Sequence, residues 1–169
     1  PLLVDRYPHH VRCRGGKRAN LGLYSKLPFE LAMAEGDCPD NAYGTQRTAH
    51  INAQFTLPDG TRFSVLTSHL DWPLPSARQA EQMQALAAQA RTIAGPVLVV
   101  GDFNSTPWSY ALRNFTSAAD LERQDYNVVT YPLMFTVPRR LQRSGMVGAL
   151  PFLPLDHVMT RGGVVVHAI

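Results

Sequence analysis

Between Thr61 and Val100 the chain runs through a strand pattern, a helix pattern and a second strand pattern, and no other stretch constrains the fold as tightly. Phe63, Val65, Thr67 and His69 fall on one face with period two, so Thr61 to Leu70 reads as a strand. Ser76 to Ala94 follows as a helix. Ala80, Met83, Leu86, Ala87, Ala90 and Ile93 give it a narrow apolar stripe, and Ser76 with Gln79 has capping-box spacing. Gly95 and Pro96 stop this helix, and Val97 to Val100 is an unbroken apolar run, as expected of a strand buried on both faces. Strand, helix and strand at this spacing make a crossover that sets the second strand beside the first. His69 and Asp102 then meet at one sheet edge.

The polar groups gather where the second strand ends, in GDFNSTPWS, Gly101 to Ser109. In extended chain Asp102 and Asn104 point one way and Phe103 the other, into the core. A carboxylate and an amide would thereby share one rim. Thr106 can cap a short helix from Pro107 to Phe115, with Pro107 at its first position. From residue types alone, Asp102 could equally turn the chain and Asn104 cap the helix, and His69 could be an ordinary hydrogen-bonded packing residue.

The remaining segments frame this centre. His50 to Leu57 pairs with Thr61 to Leu70 through a tight Pro58-Asp59-Gly60 turn. Asn20 to Ser25 reads as a strand and Phe29 to Gln46 as a long solvated connection. Pro154 to Thr160 reads as a loop entering a strand, with Val164 to His167 as a second strand after Arg161-Gly162-Gly163. Pro1 to Lys17 and the stretch with Arg139, Arg140 and Arg143 read as basic surface loops. Cys13 and Cys38 could pair in an oxidising compartment or remain free thiols.

With 169 residues and 45% hydrophobic content, residues 1–169 read as one globular domain. A net charge of +3 and a pI of about 9.1 give weak support for a polyanionic partner. No apolar run reaches membrane-spanning length, and no His/Cys cluster has zinc spacing.

GDFNSTPWS resembles the signature of the endonuclease/exonuclease/phosphatase family, the metal-dependent phosphoesterases related to type I deoxyribonuclease. SHLDWP at Ser68 to Pro73 and PLDHVMT at Pro154 to Thr160 resemble two further family motifs, in the family's order. NLGLYS resembles a structural strand of the family. VVTYP at Val128 to Pro132 resembles an element that usually carries Trp where this chain has Tyr131. The resemblance implies an α/β fold, a four-layer α/β/β/α sandwich of two mixed sheets, incomplete in this chain. The metal-binding Glu is expected upstream of Pro1, and the family's terminal Ser-Asp-His beyond Ile169, so these residues read as the middle and later part of the domain.

The resemblance also implies a chemistry: hydrolysis of phosphodiester or phosphomonoester bonds by metal-assisted attack of water, with Mg²⁺ or Mn²⁺ as cofactor. By it, Asp102 positions or deprotonates the water or touches a second metal ion, and Asn104 donates to a phosphoryl oxygen. His69 faces the phosphate, as donor or as acid to the leaving oxygen. Asp156 orients the later histidine, rather than forming with His157 the terminal Asp-His pair, since no proline follows His157. The implied partner is a phosphate ester, with nucleic acid, phospholipid head groups and soluble esters all open. A membrane-attached, periplasmic parent is compatible with this reading, as is dimer formation through sheet edges left exposed. The alternative is a non-catalytic binding or scaffold module that keeps the fold. Three polar groups on one rim argue against it.

Overall fold

The computed structural model describes residues 2–13, 21–32, 50–74, 76–126, 128–132 and 151–167. Along them run α1 (Leu2–Arg6), β1 (His9–Arg12), β2 (Gly22–Ser25), β3 (Phe29–Leu31), β4 (His50–Thr56), β5 (Arg62–His69), α2 (Ser76–Thr92), β6 (Val97–Asp102), α3 (Tyr110–Ala119), β7 (Glu122–Arg123), β8 (Tyr131–Pro132), β9 (Pro151–Leu153) and β10 (Asp156–Arg161). Six strands form one mixed sheet in the order β3-β4-β5-β6-β10-β7. Among the described strands only β5 and β6 pair in parallel, in a register from Ser64 opposite Val97 to His69 opposite Asp102.

Local chemistry explains the hairpin that starts this sheet. Asp59 Oδ1 accepts the Thr61 N–H at 2.9 Å, and Gly60 takes φ 85°, a conformation open to a residue without Cβ. β4 and β5 therefore pair in register from Thr56 opposite Arg62 to His50 opposite Ser68.

Each face of the sheet carries its own core, because side chains alternate along every strand. On one face Leu66, Val97, Val99, Phe103 and Met159 pack against Met83, Leu86, Ala87 and Ala90 of α2 and Leu112, Phe115 and Ala119 of α3. On the other, Ile51, Ala53, Phe55 and Val65 pack with Cys13, and Val11, Leu21, Leu23, Leu98 and Val100 close around them. The antiparallel β1–β2 sheet brings Val11 and Leu23 to this second core, so helices, a large sheet and a second sheet succeed one another as layers. This is the α/β sandwich of two facing sheets that the sequence implies. A further antiparallel pair, β8 with β9, lies beside it.

Arg161, at the end of β10, fastens the helices to the sheet. Its guanidinium donates to the carbonyls of Ala90 and Ile93 at the end of α2 and of Ala119 at the end of α3. The last carbonyls of a helix lack their i+4 partners, Ala90 here keeping only the Ile93 N–H at 3.3 Å, and a planar fork with several donors suits them.

Several sequence expectations are corrected. α3 begins at Tyr110, not Pro107, because Ser109 rather than Thr106 supplies the capping hydroxyl, accepting from the Leu112 N–H at 3.1 Å. Ala80 is exposed, and Gln79 and Gln82 occupy the buried stripe of α2 instead. Phe29 to Leu31 form a strand against β4 rather than opening a loop, and Val164 to His167 form none. Cys13 is buried and disulfide-bonded, which excludes a free surface thiol there; Cys38 lies outside the described residues, as do Arg139, Arg140 and Arg143. Among the described residues no helix is long and apolar enough to cross a membrane.

Candidate active site

Three titratable residues stand abreast where β5 and β6 end and β10 begins. Register places His69 opposite Asp102 and Asp102 opposite Asp156, all on the face of the second core. The close approach of the strands here depends on Gly101. A Cβ at that position would lie 2.0 Å from the Ser68 carbonyl oxygen, inside any tolerable contact. The glycine of the motif is thus what lets β6 reach β5 with His69 and Asp102 side by side.

His69 Nε2 is 3.5 Å from Asp102 Oδ2, and the two side chains keep 30% and 34% of their surface accessible. A carboxylate at that distance can orient the imidazole, while both groups stay open to a ligand. Asp102 Oδ1 is fixed separately, accepting the Asn104 N–H at 2.8 Å. Asp156 is exposed, and its backbone N–H donates to Thr130 Oγ1 at 3.2 Å.

Asn104 departs from the expected placement. The chain turns there into the left-handed region, φ 46°, so Asn104 does not continue the extended run. Its side chain is 3% exposed and donates from Nδ2 to the Leu70 carbonyl at 2.8 Å. Asparagine suits this conformation, and its carboxamide ties the loop after β6 to the loop after β5. Phe103 does turn into the core, fully buried against Phe115.

Two glutamines complete the frame, Gln79, expected from the sequence in a capping box, and Gln82, to which the sequence assigned no role. Gln79 Nε2 donates to the carbonyls of Asp71, Phe103 and Asn104 at 2.8, 3.1 and 3.0 Å. Gln82 Oε1 accepts the Asp71 N–H at 2.8 Å. Gln79 therefore serves both loops of the site rather than the capping box. Polar residues three apart on an otherwise apolar helical stripe were the signal that marks them. Trp72, on the same loop, packs edge-on to Tyr131 with ring centroids 5.3 Å apart.

Asp156 and His157 point to opposite faces of β10, so they form no pair. His157 is on the helix side, 1% exposed, with Nδ1 2.6 Å from Asp125 Oδ2 and Nε2 2.8 Å from the Ser105 carbonyl. Arg123 Nε donates to Asp125 Oδ1 at 3.1 Å. Burial pushes the Asp125 carboxyl upward, but its hydrogen bond to His157 and the charges of His157 and Arg123 outweigh this and hold it below the ordinary value.

Asp102 and Asp156 are the carboxylates that this rim could offer a cation. Among the described residues no three His, Cys, Asp or Glu side chains are grouped so as to hold a metal ion. Among the described residues the pair is an incomplete ligand set for a divalent ion.

Known proteins share this architecture. A UPF0294 protein of Vibrio cholerae is 33% identical over 113 residues, 66% of this chain and 36% of the relative, so the chain spans little more than a third of that relative's length. The endonuclease/exonuclease/phosphatase structure from Bacteroides vulgatus superposes with a TM-score of 0.63 at 16% identity, covering 93% of this chain and 65% of that one. A variant beta toxin from Staphylococcus aureus with bound magnesium ions gives 0.57 at 13% identity, covering 93% and 63%. The Endonuclease/Exonuclease/phosphatase family model matches residues 1–169, and with the His69–Asp102 rim on a two-sheet α/β frame this chain belongs to that family.

Proposed function

We propose that this chain carries the phosphate-binding rim of a hydrolase acting on phosphate ester bonds. The observation that carries the proposal is the half-exposed His69–Asp102 pair, 3.5 Å apart at the ends of two parallel strands. A phosphoester needs a proton donor for the leaving oxygen and a base or orienting group for water. His69, oriented by Asp102 at 3.5 Å, supplies the donor. Asp102, held at its other oxygen by the Asn104 N–H, orients the water or the imidazole according to protonation state. Asp156, beside Asp102 on the rim, is placed to hold a further cationic or N–H group. Asn104, with its amide given to Leu70, acts mainly by fixing this geometry.

We propose further that the reaction depends on Mg²⁺ or Mn²⁺, which would neutralise charge on the phosphoryl oxygens. The support is family membership and the magnesium ions in the S. aureus toxin structure of like fold. Asp102 and Asp156 would be the contributors from this rim. The substrate class is a phosphodiester or phosphomonoester, with nucleic acid, phospholipid head group and soluble ester as its three sources.

The test is hydrolysis of bis-p-nitrophenyl phosphate, plasmid DNA and phospholipid vesicles with Mg²⁺, Mn²⁺ or EDTA. Turnover that falls on the order of 10³-fold in Asp102→Ala and His69→Ala supports the reading. Equal turnover in wild type and both variants would sink it, and no turnover on any substrate would give the lead to a binding or scaffold module.

A further inference from the structure

Behind the rim, on the helix face of the sheet, a chain of polar contacts runs from Arg123 to Asp102 through groups that no ligand on the rim could touch. Arg123 Nε meets Asp125 Oδ1, Asp125 Oδ2 meets His157 Nδ1, and His157 Nε2 meets the Ser105 carbonyl. Ser105 follows Asn104, whose N–H holds Asp102 Oδ1. Asp125 and His157 are 2% and 1% exposed.

The protons in this chain can be placed by elimination. A carbonyl oxygen only accepts, so Nε2 carries a proton toward Ser105. Nδ1 then faces a carboxylate oxygen 2.6 Å away, and two lone pairs cannot meet at that distance, so a second proton lies between them. Arg123 on the other carboxylate oxygen favours the ionised form of Asp125. Among the described residues Asp125, and Arg123 through it, are the charged groups in these contacts.

A buried ion pair is weak support for stability, since apolar side chains of like volume often serve as well. What apolar side chains cannot supply is an N–H fixed on the Ser105 carbonyl, next to a residue in the left-handed region. We propose that His157, held by Asp125, is a positioning residue whose Nε2–H pins the Ser105 carbonyl, keeping Asn104 turned so that its N–H aims the Asp102 carboxylate at His69.

The consequence for turnover rests on the phosphoesterase reading; the consequence for the loop does not. The experiment therefore uses two readouts on the whole protein, amide hydrogen exchange at Asn104 and Ser105, and kcat and KM for bis-p-nitrophenyl phosphate with Mg²⁺. In the apolar replacement Arg123→Met, Asp125→Leu, His157→Phe, exchange at Asn104 should rise about tenfold or more, and kcat should fall about tenfold with KM within about twofold. In the double variant Asp125→Asn, His157→Gln an amide pair retains both hydrogen bonds without charge. It should recover most of the Asn104 protection and of kcat.

Wild-type exchange and kcat in a folded apolar variant would overturn the proposal, as would a failure of the amide pair to protect Asn104 better than His157→Ala. If the apolar variant does not fold, the comparison of the amide pair with His157→Ala decides alone. If the wild type hydrolyses nothing, the phosphoesterase reading falls and exchange at Asn104 still judges the positioning role.

Discussion

At Asn104 a single side chain answers two demands, a left-handed backbone and a donor for the Leu70 carbonyl. The two can be separated by substitution. Asn104→Ala adds the cost of a Cβ in the left-handed region to that of a buried carbonyl losing its donor, together about 3 kcal/mol. Asn104→Gly removes the backbone cost and should lose only about 1–2 kcal/mol. Equilibrium denaturation of the two variants reads the difference, and equal losses would show that φ at 104 is not strained. Asp125 makes a prediction in pH. Its carboxyl is held below the ordinary value in the folded protein, so its contribution to stability is complete above the unfolded-state value and is lost as pH falls through the folded one. Denaturation midpoints between about pH 6 and 2 should fall less steeply in Asp125→Asn than in wild type, because the variant has no proton to take up there.

Among the elements, the parallel β5–β6 pairing at the centre of the sheet is legible in the sequence, since a period-two strand, an amphipathic helix and an apolar strand in succession admit few arrangements. The meeting of His69 with Asp102 follows from it. The start of α3 is not legible, because Thr106 and Ser109 are both good caps and the choice falls to a tertiary setting in which the Ser105 and Ser109 hydroxyls meet at 2.6 Å. Nor is the Asp125–His157 pair, which joins residues 32 apart across the end of the sheet. Period two through Val158 and Met159 does give the face of His157, but not its partner. Gln79 is hidden by its own spacing to Ser76, which suggests a local cap while the side chain reaches the loops after β5 and β6. Arg161 is similarly hidden beside two glycines that mark a turn. Arg161→Lys keeps the charge but has a single nitrogen in place of the two that reach the two helices, so it should lose about 1–2 kcal/mol and speed amide exchange at the C-terminal turns of α2 and α3.

Across the described residues two cores lie on the two faces of one large sheet, and the rim belongs to the face of the second. Cys13 sits inside that core at 2% exposure against Ile51, Ala53, Phe55 and Val65. Among the described residues β1 and β2 pair with each other, and Val11 and Leu23 pack them against this core beside the disulfide-bonded Cys13. Reduction of the Cys13 disulfide removes a constraint on the unfolded chain, at a cost of about 2–4 kcal/mol. The loss should be uneven. Exchange protection in β1 and β2 should drop first, while α2 and α3, packed on the other face, keep theirs until global unfolding. Amide exchange with and without reductant, beside denaturation of Cys13→Ala, measures both quantities. A uniform loss would mean that the two cores unfold as one unit. Unchanged protection in β1 and β2 would mean that packing around Val11 and Leu23 is enough to hold the second sheet.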